Sequence, residues 1–155
     1  KCGYDILQAT TPEAMCLTDP DKKHLSQIPE SLAYHAIGIG PGLGKEQETT
    51  ESLKAVLRKY KKPMVIDADA LNILSENQEF LKLISENSIL TPHVKEFERL
   101  VGNWNTLQER FNKQQQFAKE NKCVVVLKDA KTCICCPKGE FFINTTGNAG
   151  MACPY

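Results

Sequence analysis

Short apolar runs alternate along the chain with longer stretches in which apolar residues recur every three or four positions. That is the signature of strands alternating with helices. Tyr4 to Ala9 reads as a first strand, ending in the turn-prone Thr10-Thr11-Pro12. Residues 18 to 31 are polar, hold two prolines and predict loop. Ala36 to Ile39 is a short buried strand running into Gly40-Pro41-Gly42-Leu43-Gly44, and from Gln47 to Tyr60 the positions Leu53, Val56, Leu57 and Tyr60 keep helical spacing. Pro63 stops that helix and opens the strand Met64 to Ile66. Leu71 to Ile84 carries a helical pattern, and Ile89-Leu90 is a strand closed by Pro92. Val94, Phe97, Leu100 and Val101 mark one further helix, and Leu107, Phe111 and Ala118 another. Cys123 to Leu127 is the clearest strand, and Thr132 to Cys136 with Glu140 to Ile143 form a hairpin across Pro137-Lys138-Gly139.

Such alternation implies an α/β fold with a mainly parallel sheet and crossover helices. No internal repeat or low-complexity linker divides the 155 residues, so residues 1–155 read as a single domain or part of one.

Composition narrows the function. Lys+Arg and Asp+Glu are both 19, a net charge of zero, which argues against nucleic acid or an anionic membrane as partner. Hydrophobic residues make up 41% and charged residues 25%, a globular mix rather than a disordered one. The longest apolar run, Cys123 to Leu127, is far short of the roughly 20 residues that cross a bilayer. No basic segment followed by an apolar stretch opens the chain, so nothing marks it for secretion and a cytoplasmic location is expected. The seven cysteines agree. An odd count, with Cys133, Cys135 and Cys136 crowded together, does not resemble a disulfide framework. Nor do they offer the spaced pairs of a zinc site, so no metal ligands are assigned and the thiols are read as reduced, small hydrophobes.

In an open α/β sheet, ligands bind beyond the carboxyl ends of the strands, so the residues that follow each strand carry the chemistry. Gly40 to Gly44 can bring backbone close to a ligand or form a plain turn, and it matches neither the dinucleotide fingerprint nor a Walker loop. Asp67-Ala68-Asp69 puts two carboxylates two residues apart, which could hold a metal or a hydroxylated ligand. The other reading is that Asp69 caps a helix. His93 and Glu96 share a helix face away from the apolar one, where they either cap and solvate the helix start or orient a ligand and move a proton. Lys128 directly follows a buried strand and could reach a phosphate as a point charge. Residues 144–150 form a glycine- and amide-rich loop able to cradle an anion.

Together these stretches resemble the ADP- or ATP-dependent NAD(P)H-hydrate dehydratases of the ribokinase-like superfamily. The matching segments are GIGPGLG at 38–44, VIDADALN at 65–72, LTPHVKEFERL at 90–100, VLKDAKT at 126–132 and NTTGNAGMA at 144–152. They stand in the family's order and spacing over nearly the whole chain. The resemblance implies a ribokinase-like three-layer sandwich, present as a partial domain. It implies nucleotide-dependent dehydration of hydrated NADH or NADPH back to the working cofactor, a metabolite-repair reaction linked to an NAD(P)H-hydrate epimerase. It assigns Gly42, Gly44 and His93, Val94, Lys95, Glu96, Phe97, Glu98 and Arg99 to the hydrated dinucleotide. Lys128, Asp129, Ala130, Lys131 and Thr132, with Gly147, Asn148 and Gly150, go to ADP or ATP, whose phosphates Mg²⁺ would bridge. Asp67, Asp69 and Asn72 are candidates without an assigned role.

In the family, Gly-Asn-x-Gly-Met-Ala continues into a glycine-rich run with the aspartate that acts as general base. Here Met151-Ala152 is followed by Cys153-Pro154-Tyr155, so no catalytic residue is assigned. The expectation is an incomplete chain with little or no dehydratase activity, and interrupted sheet edges would encourage self-association. Two other readings use the same residues: a sugar or vitamin kinase of the same superfamily, and a non-catalytic nucleotide-binding fragment.

Overall fold

Successive residues of a strand face opposite sides, and the short apolar runs sort themselves by that rule. Ile66, Leu90, Val125, Leu127, Cys133 and Cys135 are buried, whereas Val65 and Ile89, each next in sequence to one of them, are 39% and 36% exposed. The computed structural model, which describes residues 3–21, 25–27 and 32–146, joins these runs into a six-stranded sheet. Its strands are β1 (Gly38–Ile39), β2 (Val65–Ile66), β3 (Ile89–Leu90), β4 (Val124–Leu127), β5 (Thr132–Cys135) and β6 (Phe141–Asn144). They lie in consecutive order, with β1 to β4 parallel and β5 and β6 antiparallel. The fold is thus α/β with a mainly parallel sheet, as expected.

Parallel neighbours need a crossover, and here helices supply each one. α2 (Gln47–Lys59) links β1 to β2 and buries Leu53, Val56 and Leu57. α3 (Ala68–Glu76) and a 3₁₀ turn (Gln78–Leu83) link β2 to β3, burying Leu71, Ile73, Leu74 and Phe80. α4 (Val94–Val101) and α5 (Leu107–Glu120) link β3 to β4. Phe97 of α4 meets Phe117 of α5 edge-on at 5.9 Å and Trp104 at 5.9 Å, which locks the two helices over the sheet. One apolar cluster runs from Leu53 to Cys135. Among the described residues no helix is long and apolar enough to cross a membrane.

Three expectations are corrected. Tyr4–Thr10 is a helix, α1, and not a strand. None of its residues is buried, and a helix satisfies its own backbone where a strand would need a neighbour. The pattern from Leu71 to Ile84 is not one helix: it breaks at Asn77, whose side-chain amide and backbone N–H both bond to Ile73 O and so end the ladder. In α5 the apolar residue Leu107 is 64% exposed, and the inward stripe is instead Arg110, Gln114, Phe117 and Ala118.

Cys16, Cys123, Cys133, Cys135 and Cys136 are free thiols. Burial pushes the Cys123 thiol up to about 12 and raises Cys133 and Cys135 as well. Brief alkylation of the folded protein, read by peptide mass, is therefore expected to spare Cys123, Cys133 and Cys135 and to modify Cys16 and Cys136. Equal labelling of all five would contradict this packing.

Candidate functional site

The parallel ladder continues one residue past the regular strands, and that extension builds the candidate site. Asp67 N–H donates to Ile39 O at 3.0 Å, Thr91 N–H to Ile66 O at 3.1 Å, and Lys128 N–H to Pro92 O at 2.8 Å. The first side chain beyond each strand is thereby fixed against its neighbour. Asp67, Thr91 and Lys128 meet at this edge. Lys128 Nζ donates to Asp67 Oδ1 at 2.7 Å, with both side chains partly buried. Burial alone would raise the Asp67 carboxyl. Hydrogen bonds from Lys128 and Thr91, together with the Lys128 charge, outweigh it and hold the group below its ordinary value.

The glycine loop after β1 packs onto the same turn. Gly40 is buried with φ 142, and a methyl group on it would overlap the Asp67 carbonyl oxygen. Gly42 and Gly44 also have positive φ, 69 and 75. Gly44 N–H donates to Asp69 Oδ2 at 3.0 Å, so α3 holds the loop from below. Between the two aspartates Ala68 adopts φ 48, a conformation that strains a residue bearing a Cβ. That kink directs Asp67 toward Lys128 and Asp69 toward the glycine loop. The spacing had allowed either a shared ligand or helix capping by Asp69. The structure does not show the capping: Asp67 occupies the N-cap position without a side-chain cap, and the two carboxylates turn to separate protein partners.

α4 begins beside Lys128, where His93 and Lys128 form an isolated parallel bridge. His93 Nδ1 accepts from the N–H groups of Lys95 (3.1 Å) and Glu96 (3.3 Å), while Glu96 Oε2 accepts from His93 N–H at 2.8 Å. This is a capping box with histidine in the usual Ser/Thr place. Because Nδ1 accepts, the hydrogen of the neutral ring sits on Nε2, 3.4 Å from Glu96 Oε1. Glu96 is buried rather than on an open face, because closing the box draws it inward.

The remaining assigned residues separate clearly. Phe97 is fully buried in the core and does not reach the edge. Val94 is half-buried, and Lys95 pairs with Glu98 at 2.9 Å on the exposed side of α4. Arg99 donates to Asn72 Oδ1 at 2.7 Å, joining α4 to α3. Asp129, Ala130 and Lys131 form the β4–β5 turn, and Thr132 opens β5 opposite Asn144. Gly147, Asn148 and Gly150 lie outside the described residues. Motif reading overlooked Gly40 as a contact, Thr91 as a partner of Asp67, and Arg110 entirely. The first two stand directly after strands. Arg110 could have been found by extending the Phe117–Ala118 stripe back two turns.

What can this edge bind? Among the described residues no group of three His, Cys, Asp or Glu side chains gathers to hold a metal ion. Asp67 and Asp129 each already face a cation. The donor set suits an anion, with Lys128 as the point charge and the glycine loop as a close backbone wall.

An α/β sheet with its polar edge at the carboxyl ends of parallel strands defines a class of small-molecule-binding domains. A family model described as NAD(P)H-hydrate dehydratase matches residues 2–154, and the chain belongs to that family. It is 36% identical over 155 residues to the ADP-dependent (S)-NAD(P)H-hydrate dehydratase of Lactococcus lactis, covering 98% of this chain and 54% of that protein. It is 35% identical to the bifunctional NAD(P)H-hydrate repair enzyme Nnr of Moorella thermoacetica, covering 95% of this chain and 30% of that one. Among solved structures, the ADP/ATP-dependent NAD(P)H-hydrate dehydratase of Bacillus subtilis, co-crystallised with ATP/Mg²⁺ and soaked with CoA, superposes with a TM-score of 0.70. It shares 32% identity over 93% of this chain and 52% of its own length. The chain thus spans about half, or less, of the relatives it matches.

Two outcomes follow. Gly40→Ala is expected to destabilise the fold by about 3 kcal/mol or more, since strain adds to overlap with backbone; a loss below about 1 kcal/mol in urea unfolding would mean the loop simply shifts. Asp67 is held below its ordinary value of 3.8, so its ionised form stabilises the fold above that pH, and the contribution is lost as pH falls through the folded value. Asp67→Asn should therefore melt below the parent protein at neutral pH and converge with it in acid. A constant offset down to strong acid would refute the pairing.

Proposed function

We propose that this chain carries part of a nucleotide-dependent NAD(P)H-hydrate dehydratase, a cytoplasmic repair domain that returns hydrated NADH or NADPH to the reduced cofactor. The observation that carries the reading is the meeting of Lys128, Asp67, Thr91 and the glycine loop at one sheet edge, beside the His93 start of α4. Residues 1–155 are read as one partial domain, and self-association and a functional link to an NAD(P)H-hydrate epimerase belong to the same proposal. The Nnr relatives are bifunctional by name, which favours that link.

In this reading the adenine nucleotide lies over the β4–β5 turn, with Lys128 at its phosphates and Asp129 to Thr132 alongside. Gly147, Asn148 and Gly150 complete the nucleotide side. The hydrated dinucleotide lies toward Gly42, Gly44, His93 and the exposed side of α4. Phe97 supports that helix from the core. Mg²⁺ supplies charge neutralisation between phosphate oxygens, held by the nucleotide rather than by a cage of protein ligands.

The chemistry needs a phosphoryl group moved from nucleotide to the hydroxyl on the reduced ring, forming a C–O–P bond and releasing the shortened nucleotide. The ring-nitrogen lone pair then expels phosphate as the C–O bond breaks, and loss of a proton from the adjacent carbon restores the double bond. The protein's part is placement and charge. Lys128 meets phosphate charge, Asp67 and Thr91 fix Lys128, and the Nε2–H of His93 is a donor beside the ring site. The family resemblance assigns the general base to a glycine-rich run that follows Gly-Asn-x-Gly-Met-Ala, so in this reading turnover depends on that run.

The test is recovery of the reduced-nicotinamide absorbance from hydrated NADH and NADPH, with ADP and with ATP, by the 155-residue chain and by one extended with a family-like end. Recovery restored by the extension is the expected result. A phosphorylated product without elimination would make it a kinase, and nucleotide binding without turnover in either form would make it a binding module.

A further inference from the structure

We propose that Arg110 is a positioning residue for the nucleotide: from α5 it holds the β4–β5 turn in the shape that presents Lys128 and its neighbours to the phosphates. The inference rests on the nucleotide assignment made above. Arg110 stands 18 positions before Lys128 and belongs to none of the motifs, yet its side chain is only 10% exposed. Its guanidinium donates from Nη1 to Asp129 Oδ2 at 2.8 Å. The other oxygen of that carboxylate, Oδ1, accepts from Ala130 N–H at 2.7 Å. One carboxylate therefore joins the helix to the backbone of the turn. The Cys133 thiol, at the start of β5, bonds to Lys131 O at 3.6 Å, so Arg110 braces the turn through Asp129, just after Lys128.

Stability alone is a poor reason for this arrangement. Taking a guanidinium out of water is costly, and here its Nε is buried with no partner. An apolar side chain would fill the same volume without that cost. What an apolar side chain cannot do is orient Asp129 and through it the Ala130 amide. The same helix shows the contrast one turn later. Gln114, fully buried, donates to Val125 O at 3.1 Å and Cys133 O at 3.0 Å, gripping the two strands rather than the turn.

The experiment measures ADP affinity by calorimetric titration, alongside the thermal midpoint, for the parent chain, Arg110→Met, Arg110→Lys, Asp129→Asn, the Arg110→Met/Asp129→Asn double variant and Gln114→Leu. Arg110→Met and Asp129→Asn should each weaken ADP about tenfold, and the double variant no more than either, because all three break one link. Arg110→Lys should recover part of the affinity. Gln114→Leu should lower the midpoint without a matching loss of ADP binding. Affinity that simply follows the midpoint across all variants would reduce Arg110 to a structural residue, and unchanged affinity in Arg110→Met would also overturn the proposal while leaving the nucleotide site standing. No ADP uptake by the folded parent chain would sink the nucleotide assignment itself and this inference with it. If Arg110→Met fails to fold, Asp129→Asn, at a side chain 30% exposed, decides the question.

Discussion

The hydrogen bond from Lys128 Nζ to Asp67 Oδ1 joins the ends of β2 and β4 across the end of β3, and the candidate site takes its shape from it. Register explains why a lysine is required. Ile66, Leu90 and Val125 stand side by side in the sheet, so Asp67 emerges one residue beyond that level and Lys128 three residues beyond. Only a long, flexible side chain can reach back over that offset. Asp67 is placed in turn by Gly40, which lets the glycine loop press against its carbonyl, and by the strained Ala68. The strain at Ala68 is confined to one residue of the turn, and the bonds on either side of it over-determine the conformation.

Legibility followed periodicity. β4, the β5–β6 hairpin and helices α2 and α4 were readable because their burial has the period of their backbone. The α5 stripe was misjudged because two of its inward positions, Arg110 and Gln114, are polar. Their burial is compensated only in part, by partners far away in sequence: Asp129 in one case and the Val125 and Cys133 carbonyls in the other, with Arg110 Nε and Gln114 Oε1 left unpaired. No local pattern encodes such a partner. Tyr4–Thr10 failed for the opposite reason. An exposed segment has no burial period to read, and strand or helix is then decided by whether a neighbouring edge exists.

At the site, sequence reading correctly located the strand ends but not what the side chains do there. Asp67 and Asp69 were seen as a pair, and backbone geometry separates them. His93 and Glu96 were seen as a catalytic or a capping couple, and the capping role is formed in full, with Nδ1 committed to backbone. That commitment limits the chemistry open to His93: only Nε2 is left free of the backbone, and in the neutral ring it is a donor, 3.4 Å from Glu96 Oε1. Positioning and hydrogen-bond donation fit this geometry, whereas proton abstraction by the ring does not.

The charges at the edge are matched before any ligand arrives. Lys128 faces Asp67 and Arg110 faces Asp129. An incoming phosphate therefore does not meet a bare cation. It competes with a carboxylate that already holds Lys128 in place, so binding is an exchange whose net gain is smaller than a fresh ion pair would give. On the nucleotide reading proposed above, a polyphosphate would have to share Lys128 with Asp67, and contacts along the glycine loop and the β4–β5 turn would have to offset that exchange.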